Sequence, residues 1–164
     1  MYGVNIRMQF GANEVDDINA AIDGLGGAIS DFRPFWKEVR PIAAAAFARN
    51  FARQGTIEGR WPPLSPKYLK RKLKQGFPPD ILVRTMVLKR ACTRIGQTAG
   101  PNQIIIDEPN LFGFGVTLEY SWYHERPGGV HGKWRPHLVI DQQGRDEIFA
   151  GFTRWTKELV GRSW

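Results

Sequence analysis

The segment Gly59 to Thr85, GRWPPLSPKYLKRKLKQGFPPDILVRT, restricts the folds open to this 164-residue chain more than any other stretch. It holds a Trp61-Pro62-Pro63-Leu64 turn, a helix start at Ser65-Pro66, a run of Lys and Arg, a second turn at Pro78-Pro79 and the apolar Ile81-Leu82-Val83. Ser65 is suited to cap a helix, and Pro66 to take its first position, where the missing N–H has no intrahelical partner. A helix is therefore predicted from Pro66 to about Gln75, ended by Gly76. Tyr68, Leu69 and Leu73 are expected to face the core, with Lys67, Lys70, Arg71, Lys72 and Lys74 spread over the outer surface. Ile81, Leu82 and Val83 read as a short apolar strand. This is the residue pattern of a surface that grips other macromolecules rather than of an active site.

The chain is long enough for one domain over residues 1–164 with a proper core, and loops near 55–65 and 126–134 are expected to be flexible. Apolar residues at 42% and charged residues at 24% argue against wholesale disorder. No apolar run reaches the roughly 18 to 20 residues needed to cross a bilayer, so no membrane partner is expected. The opening MYGVNIRMQF lacks the pattern of a secretory signal, which suggests a protein made and used inside a cell. Cys92, the single cysteine, excludes an internal disulfide and has no CxxC partner.

Net charge is +7, and it is unevenly placed. Residues 1–31 carry Glu14, Asp16, Asp17, Asp23 and Asp31 against Arg7 alone. Between Gly55 and Gly100 there are ten cations against Glu58 and Asp80, a local excess of eight. Such a field suits a nucleic acid or an acidic protein neighbour, including the acidic start of another copy of the chain.

Val4, Ile6, Met8 and Phe10 alternate as in a half-buried strand, and a helix is predicted from about Glu14 to Ile29 on Val15, Ile18, Ala21, Ile22 and Leu25. A second helix is predicted from Phe35 to Gln54, with Trp36, Val39, Ala43, Phe47 and Phe51 on its apolar stripe and Gly55 as its stop. Pro41 leaves room for a kink or for two helices. Met86 to Thr93 reads as a short helix, and Gln103 to Asp107 with Leu111 to Leu118 as a β-hairpin. Tyr120 to His124 leads to the loop Pro127-Gly128-Gly129, and Trp134-Arg135-Pro136 precedes an extended His137 to Ile140. Asp141 can cap a closing helix carrying Ile148, Phe152, Trp155 and Leu159. The predicted class is α+β: a small antiparallel sheet packed against several helices, including a long helix in the N-terminal half and a C-terminal one.

His124, His131 and His137, with Glu125 or Cys92, match no compact zinc spacing, and a Gly-rich loop is a poor scaffold for ligands. His124 and His137 are instead expected to pack or hydrogen-bond beside the sheet, with His131 exposed. GxSxG, HExxH, Walker and dinucleotide motifs are missing from the sequence, and Phe112-Gly113-Phe114-Gly115 lacks the helix a phosphate loop needs. Its glycines are expected to relieve crowding in a strand. No catalytic residue, cofactor or metal is predicted. Lys67 to Lys74 reads either as a phosphate-contacting surface or as a solvated helix face, and supports at most salt-sensitive, sequence-independent binding. Trp61 is expected as a core or turn anchor, whereas Trp122, Trp134, Trp155 and Trp164 lie near loops or the terminal helix and suggest an interface.

The order of motifs resembles a known family. Phe51-Ala52-Arg53-Gln54-Gly55, then Gly59-Arg60-Trp61-Pro62-Pro63-Leu64-Ser65, a basic helix and Ile81-Leu82-Val83-Arg84-Thr85 are similar to the virion morphogenesis, or tail completion, proteins of tailed bacteriophages, including Mu-like phages. Tyr120-Ser121-Trp122-Tyr123-His124 and Arg135-Pro136-His137-Leu138 look like that family's second block. Matches span about Ala43 to Leu159. Thr85-Met86-Val87-Leu88 departs from the family's Thr-Gly-x-Leu, which suggests a turn that is not left-handed at Met86. His137 also stands where the family has an aromatic residue or Leu.

The resemblance implies a non-enzymatic structural protein: a homo-oligomeric ring, a hexamer being one closed form, at the head-proximal end of the tail or in the neck, where it supports head-tail joining. Its expected place is the virion, with host cytoplasm during assembly. Expected partners are further copies, a tail terminator, a connector and, nonspecifically, genomic DNA. A ring needs two different faces per subunit, for which the acidic start and basic middle are complements. Arg60, Lys67, Lys70, Arg71, Lys72, Lys74, Trp122 and Trp134 are the expected interface or DNA-path residues, and Trp61, Leu64, Ile81, Leu82 and Val83 carry the fold motif. The alternative is a nonspecific nucleic-acid-binding protein using residues 60–94.

Overall fold

The computed structural model describes residues 31–96, 102–126, 128 and 133–162. Expectations for the first strand, the 14–29 helix, His131 and Trp164 lie outside these residues. Among the described residues, five helices and two small antiparallel two-stranded sheets give an α+β fold.

Helix α1, Arg33–Arg53, is the spine. Phe35, Val39, Ala43, Ala46, Phe47, Asn50 and Phe51 are buried along one face, as 3.6-residue periodicity requires. Pro41 does not divide it: one helix runs through, its apolar positions on both sides of the proline held in the core. The expected stop at Gly55 is corrected. Gln54 takes the left-handed conformation (φ 54°) and closes α1. Gly55 instead opens β1, Gly55–Thr56, which pairs with β2, Gly59–Arg60. A side chain at Gly55 would place its Cβ 2.4 Å from the Gly59 carbonyl oxygen, so glycine serves close backbone approach here.

Helix α2, Pro66–Lys74, begins as its sequence dictates, with the Ser65 hydroxyl accepting from the Tyr68 N–H at 3.3 Å. Its inner face differs from expectation. Leu73 is 51% exposed, whereas Lys72 is buried and donates from Nζ to the Asp80 carbonyl oxygen. The long apolar stem of lysine covers what a leucine would cover while its charged tip finds a carbonyl. Ile81 to Val83 also differs, being a turn and not a strand. Leu82 is left-handed (φ 59°), the Ile81 N–H is taken by Gln54 Oε1, and Val83 reaches the core. Helix α3, Val87–Thr93, follows with Leu88 inward. Met86 at its start is left-handed (φ 65°) despite its side chain, overturning the expectation drawn from the missing glycine.

β3, Gln103–Glu108, and β4, Leu111–Val116, form the hairpin around Pro109-Asn110, with Ile106 opposite Gly113. A Cβ on Gly113 would sit 3.1 Å from the Ile106 side chain, so this glycine does relieve crowding. The hairpin runs along α1. The Phe32 N–H bonds to the Pro109 carbonyl at 2.8 Å, Trp36 Nε1 to the Glu108 carbonyl at 2.9 Å, and Phe47 stacks on Phe114 at 5.8 Å.

Helix α4, Glu119–Glu125, precedes a segment, 137–140, whose sequence reads as extended but which pairs with no strand among the described residues. Two side chains replace a strand partner. Asn50 Nδ2 donates to the carbonyls of His137 and Val139, and Glu125 accepts from the N–H groups of His137 and Leu138. Asp141 then caps helix α5, Gln142–Arg162, through the Gly144 N–H at 3.0 Å. Phe35, Phe152 and Trp155 from α1 and α5 meet in one aromatic cluster with Phe32.

Candidate functional site

Trp61 and Arg135 join two segments that are distant in sequence. Trp61 is 4% exposed, meets Phe51 edge-on at 5.6 Å and donates from Nε1 to the Pro136 carbonyl at 2.7 Å. In return, Arg135 donates to the Pro62 carbonyl at 3.0 and 2.8 Å and to that of Pro63 at 3.2 Å.

Beside this junction lies a cleft of about 700 Å³ between α2, the 82–86 turn with the start of α3, and α4. Leu64, Leu82, Met86, Val87 and Tyr120 supply apolar wall, and Arg84 and Lys133 supply charge. Two wall residues, Leu82 and Met86, hold left-handed backbone at a cost of about 1–2 kcal/mol each. Gln54 at Ile81 and Lys72 at Asp80 brace that turn.

Lys67, Lys70, Arg71 and Lys74 are exposed together on α2, and Arg60 is exposed on β2. Arg71 lies over the Tyr68 ring at 5.2 Å. Lys72 is not part of that outer surface, being buried as described. Just past the end of α4, Arg126 lies over Trp122 at 4.8 Å and over Tyr123 at 5.4 Å. Trp134 is 39% exposed and donates from Nε1 to the Glu125 carbonyl. Trp61, Leu64 and Val83 lie in or beside the core junction, with Ile81 and Leu82 packed against it.

Behind the cleft is an arrangement missed by sequence reasoning. The Ser121 hydroxyl and His137 Nε2 are 2.9 Å apart, and His137 Nδ1 lies 2.8 Å from Glu125 Oε1. This is the Ser-His-carboxylate order of an acyl-transfer site. Its surroundings differ: Ser121 is 1% and His137 0% exposed, so a substrate carbonyl has no approach to the hydroxyl. Glu125 Oε1 also accepts the His137 and Leu138 N–H groups at 2.7 and 2.9 Å, so the carboxylate binds a backbone turn as much as a ring. Burial pushes the Glu125 carboxyl up, but the His137 contacts and the two N–H bonds outweigh it and hold it below its ordinary value. The network is a clamp between α4 and the 137–138 backbone. A fluorophosphonate probe is expected to leave Ser121 unmodified in the folded protein; stoichiometric labelling detected by mass spectrometry would contradict this reading. His137 packs and hydrogen-bonds as its sequence position suggested. The signal for Asn50 was its place as a polar residue on the apolar stripe of α1.

His124 lines the cleft, with its Nδ1 atom buried and unpartnered. Burial, followed by the nearby His137 and Arg135, pushes its pKa down from 6.5 to about 4. The unfolded chain therefore takes up a proton, between pH 6.5 and 4, that the folded chain refuses, and stability is lost as pH falls through that window. The expected loss is about 3 kcal/mol by pH 4. Urea titrations of wild type and His124→Phe at pH 7 and pH 4 check it: the variant should show the smaller acid loss.

Burial also pushes the Cys92 thiol well up, which makes it a poor nucleophile. Among the described residues no group of three His, Cys, Asp or Glu side chains is placed to hold a metal. No helix there is long and apolar enough to cross a membrane. Comparison of this chain with protein-family models, curated proteins and solved structures gives no match.

Proposed function

We propose that this protein is a non-enzymatic structural component of a tailed-phage particle, of the tail completion or neck type, working as a homo-oligomeric ring that supports head-tail joining. One observation carries the reading: the two sequence blocks behind the resemblance interlock. Trp61 of the first block bonds to Pro136 of the second, and Arg135 of the second bonds to Pro62 and Pro63 of the first. Motifs that co-operate in one junction form a single structural signature and not a set of unrelated short matches. The closed Ser121-His137-Glu125 network is in keeping with a role without chemistry.

Location and copy number in intact particles test the proposal. Quantitative mass spectrometry of purified tailed particles from the encoding genome should find a small fixed number of copies, and antibody labelling should mark the head-proximal end of the tail. Particles that mature and join heads without the protein would sink it.

The second reading, nonspecific nucleic-acid binding, is favoured by the four exposed cations of α2, a helix without a single carboxylate. Gel-shift titration separates the two. Duplex binding by the free chain that falls steeply with salt, lost in Lys67→Glu/Lys70→Glu/Lys74→Glu, would favour the second reading.

A further inference from the structure

Among its described residues the cleft beside α2 combines three properties: an apolar wall open to solvent, a wholly cationic set of charges and a braced, left-handed turn. Met86, Val87 and Tyr120 are 37, 37 and 45% exposed at its mouth. Arg84 and Lys133 stand at its edge, with Lys72 and Arg135 set into its walls, and no Asp or Glu lies among the described lining residues. An acidic segment with an apolar stripe is the complement of such a surface.

The chain contains one. In Glu14 to Leu25, Val15, Ile18, Ile22 and Leu25 recur at helical spacing, accompanied by Glu14, Asp16, Asp17 and Asp23 without a cation. Apolar anchors at this spacing are how an amphipathic helix enters a groove, and the carboxylates would meet Arg84 and Lys133 at the rim. We infer that the cleft receives residues 14–25 of a second copy of this chain.

Ring closure favours a neighbour over the same chain, because a cyclic ring needs each subunit to offer one face and receive a different one. This contact deepens the ring proposal by naming its two faces, and rests on that proposal for the choice of a neighbour over the same chain.

Full-length Thr85→Cys, labelled on its one exposed thiol with a benzophenone, tests the contact, because Cys92 is buried. Unlabelled chains carrying the photoprobe are mixed with ¹⁵N-labelled wild type and irradiated. Cross-links between the probe and residues 12–28 of the ¹⁵N chain are expected, with a yield that rises with protein concentration. Cross-links confined to the probe-bearing chain, or none to residues 12–28, would overturn the inference. A charge exchange gives an independent reading by sedimentation velocity. Arg84→Glu/Lys133→Glu should weaken self-association at least about tenfold, and Asp16→Lys/Asp17→Lys in the partner copy should restore it. Weakening without restoration also counts against it. A chain that makes this contact yet is missing from tailed particles would sink the tail reading and leave the contact standing.

Discussion

Trp61→Ala is expected to destabilise the protein by about 3–5 kcal/mol, the range for truncating a buried large aromatic. The site has little scope to collapse. Trp61 is 4% exposed, its ring edge meets Phe51, and its N–H is the partner of the buried Pro136 carbonyl. Its own backbone N–H also bonds to the Gln54 carbonyl at 2.8 Å, which ties the end of α1 to the turn. Trp61→Phe retains much of the volume and loses the indole donor, so it should cost less, about 1–3 kcal/mol, chiefly from the unsatisfied carbonyl. Chemical denaturation followed by circular dichroism would rank the variants. Equal stability of Trp61→Ala and wild type would show that the junction does not hold the two blocks together.

Asp141 is the second site of large expected effect. Its carboxylate accepts two bonds from Arg49 at 2.7 Å each, one from Arg53 and one from the Gly144 N–H at the start of α5. Asp141→Ala removes a helix cap and a charge-assisted fork together, an expected loss of about 3 kcal/mol. Both arginines keep some contact with water, which holds the cost below that of a wholly buried pair. Asp141→Asn keeps the cap and loses the charge, so about half of the loss should remain.

The Arg49 hydrogen bonds, aided by Gly144 and Arg53, hold the Asp141 carboxyl well below its ordinary 3.8 against the opposing effect of burial. A depressed folded value means that the stabilisation is fully present above the unfolded value of 3.8 and is lost as pH falls toward the folded one. The stability gap between wild type and Asp141→Asn should therefore be constant from pH 7 to about 5 and narrow below 3.8. A gap that widens on acidification would contradict the assignment.

The parts of this fold that local chemistry determines were legible from the residues. The stripe of α1, the hairpin at Pro109-Asn110, the Ser65 and Asp141 caps and the anchoring role of Trp61 all follow from periodicity, turn chemistry or capping. Features set by a distant partner were not. Ile81 to Val83 has strand-like composition, yet Gln54 captures the Ile81 N–H, and no second strand among the described residues pairs with it. Met86 turns left-handed without glycine on the path between two core residues, Val83 and Leu88. Lys72 and Leu73 exchange their expected environments because Asp80, eight residues on, offers a carbonyl to an ammonium. The Ser121-His137-Glu125 clamp carries no local spacing signal at all, since its members meet only when α4 and the 137–138 segment come together.

Helix α1 has a consequence for the timing of synthesis. Its apolar face is covered by β4 and α5, the last of which, with Trp155, leaves the ribosome about 100 residues after Arg53. At roughly 5–20 residues per second, Phe35 waits some 5–20 seconds for Phe152 and Trp155. During that interval α1 is a greasy helix in search of cover, so a holding chaperone that binds aromatic stretches would act on the nascent chain before residue 155 emerges.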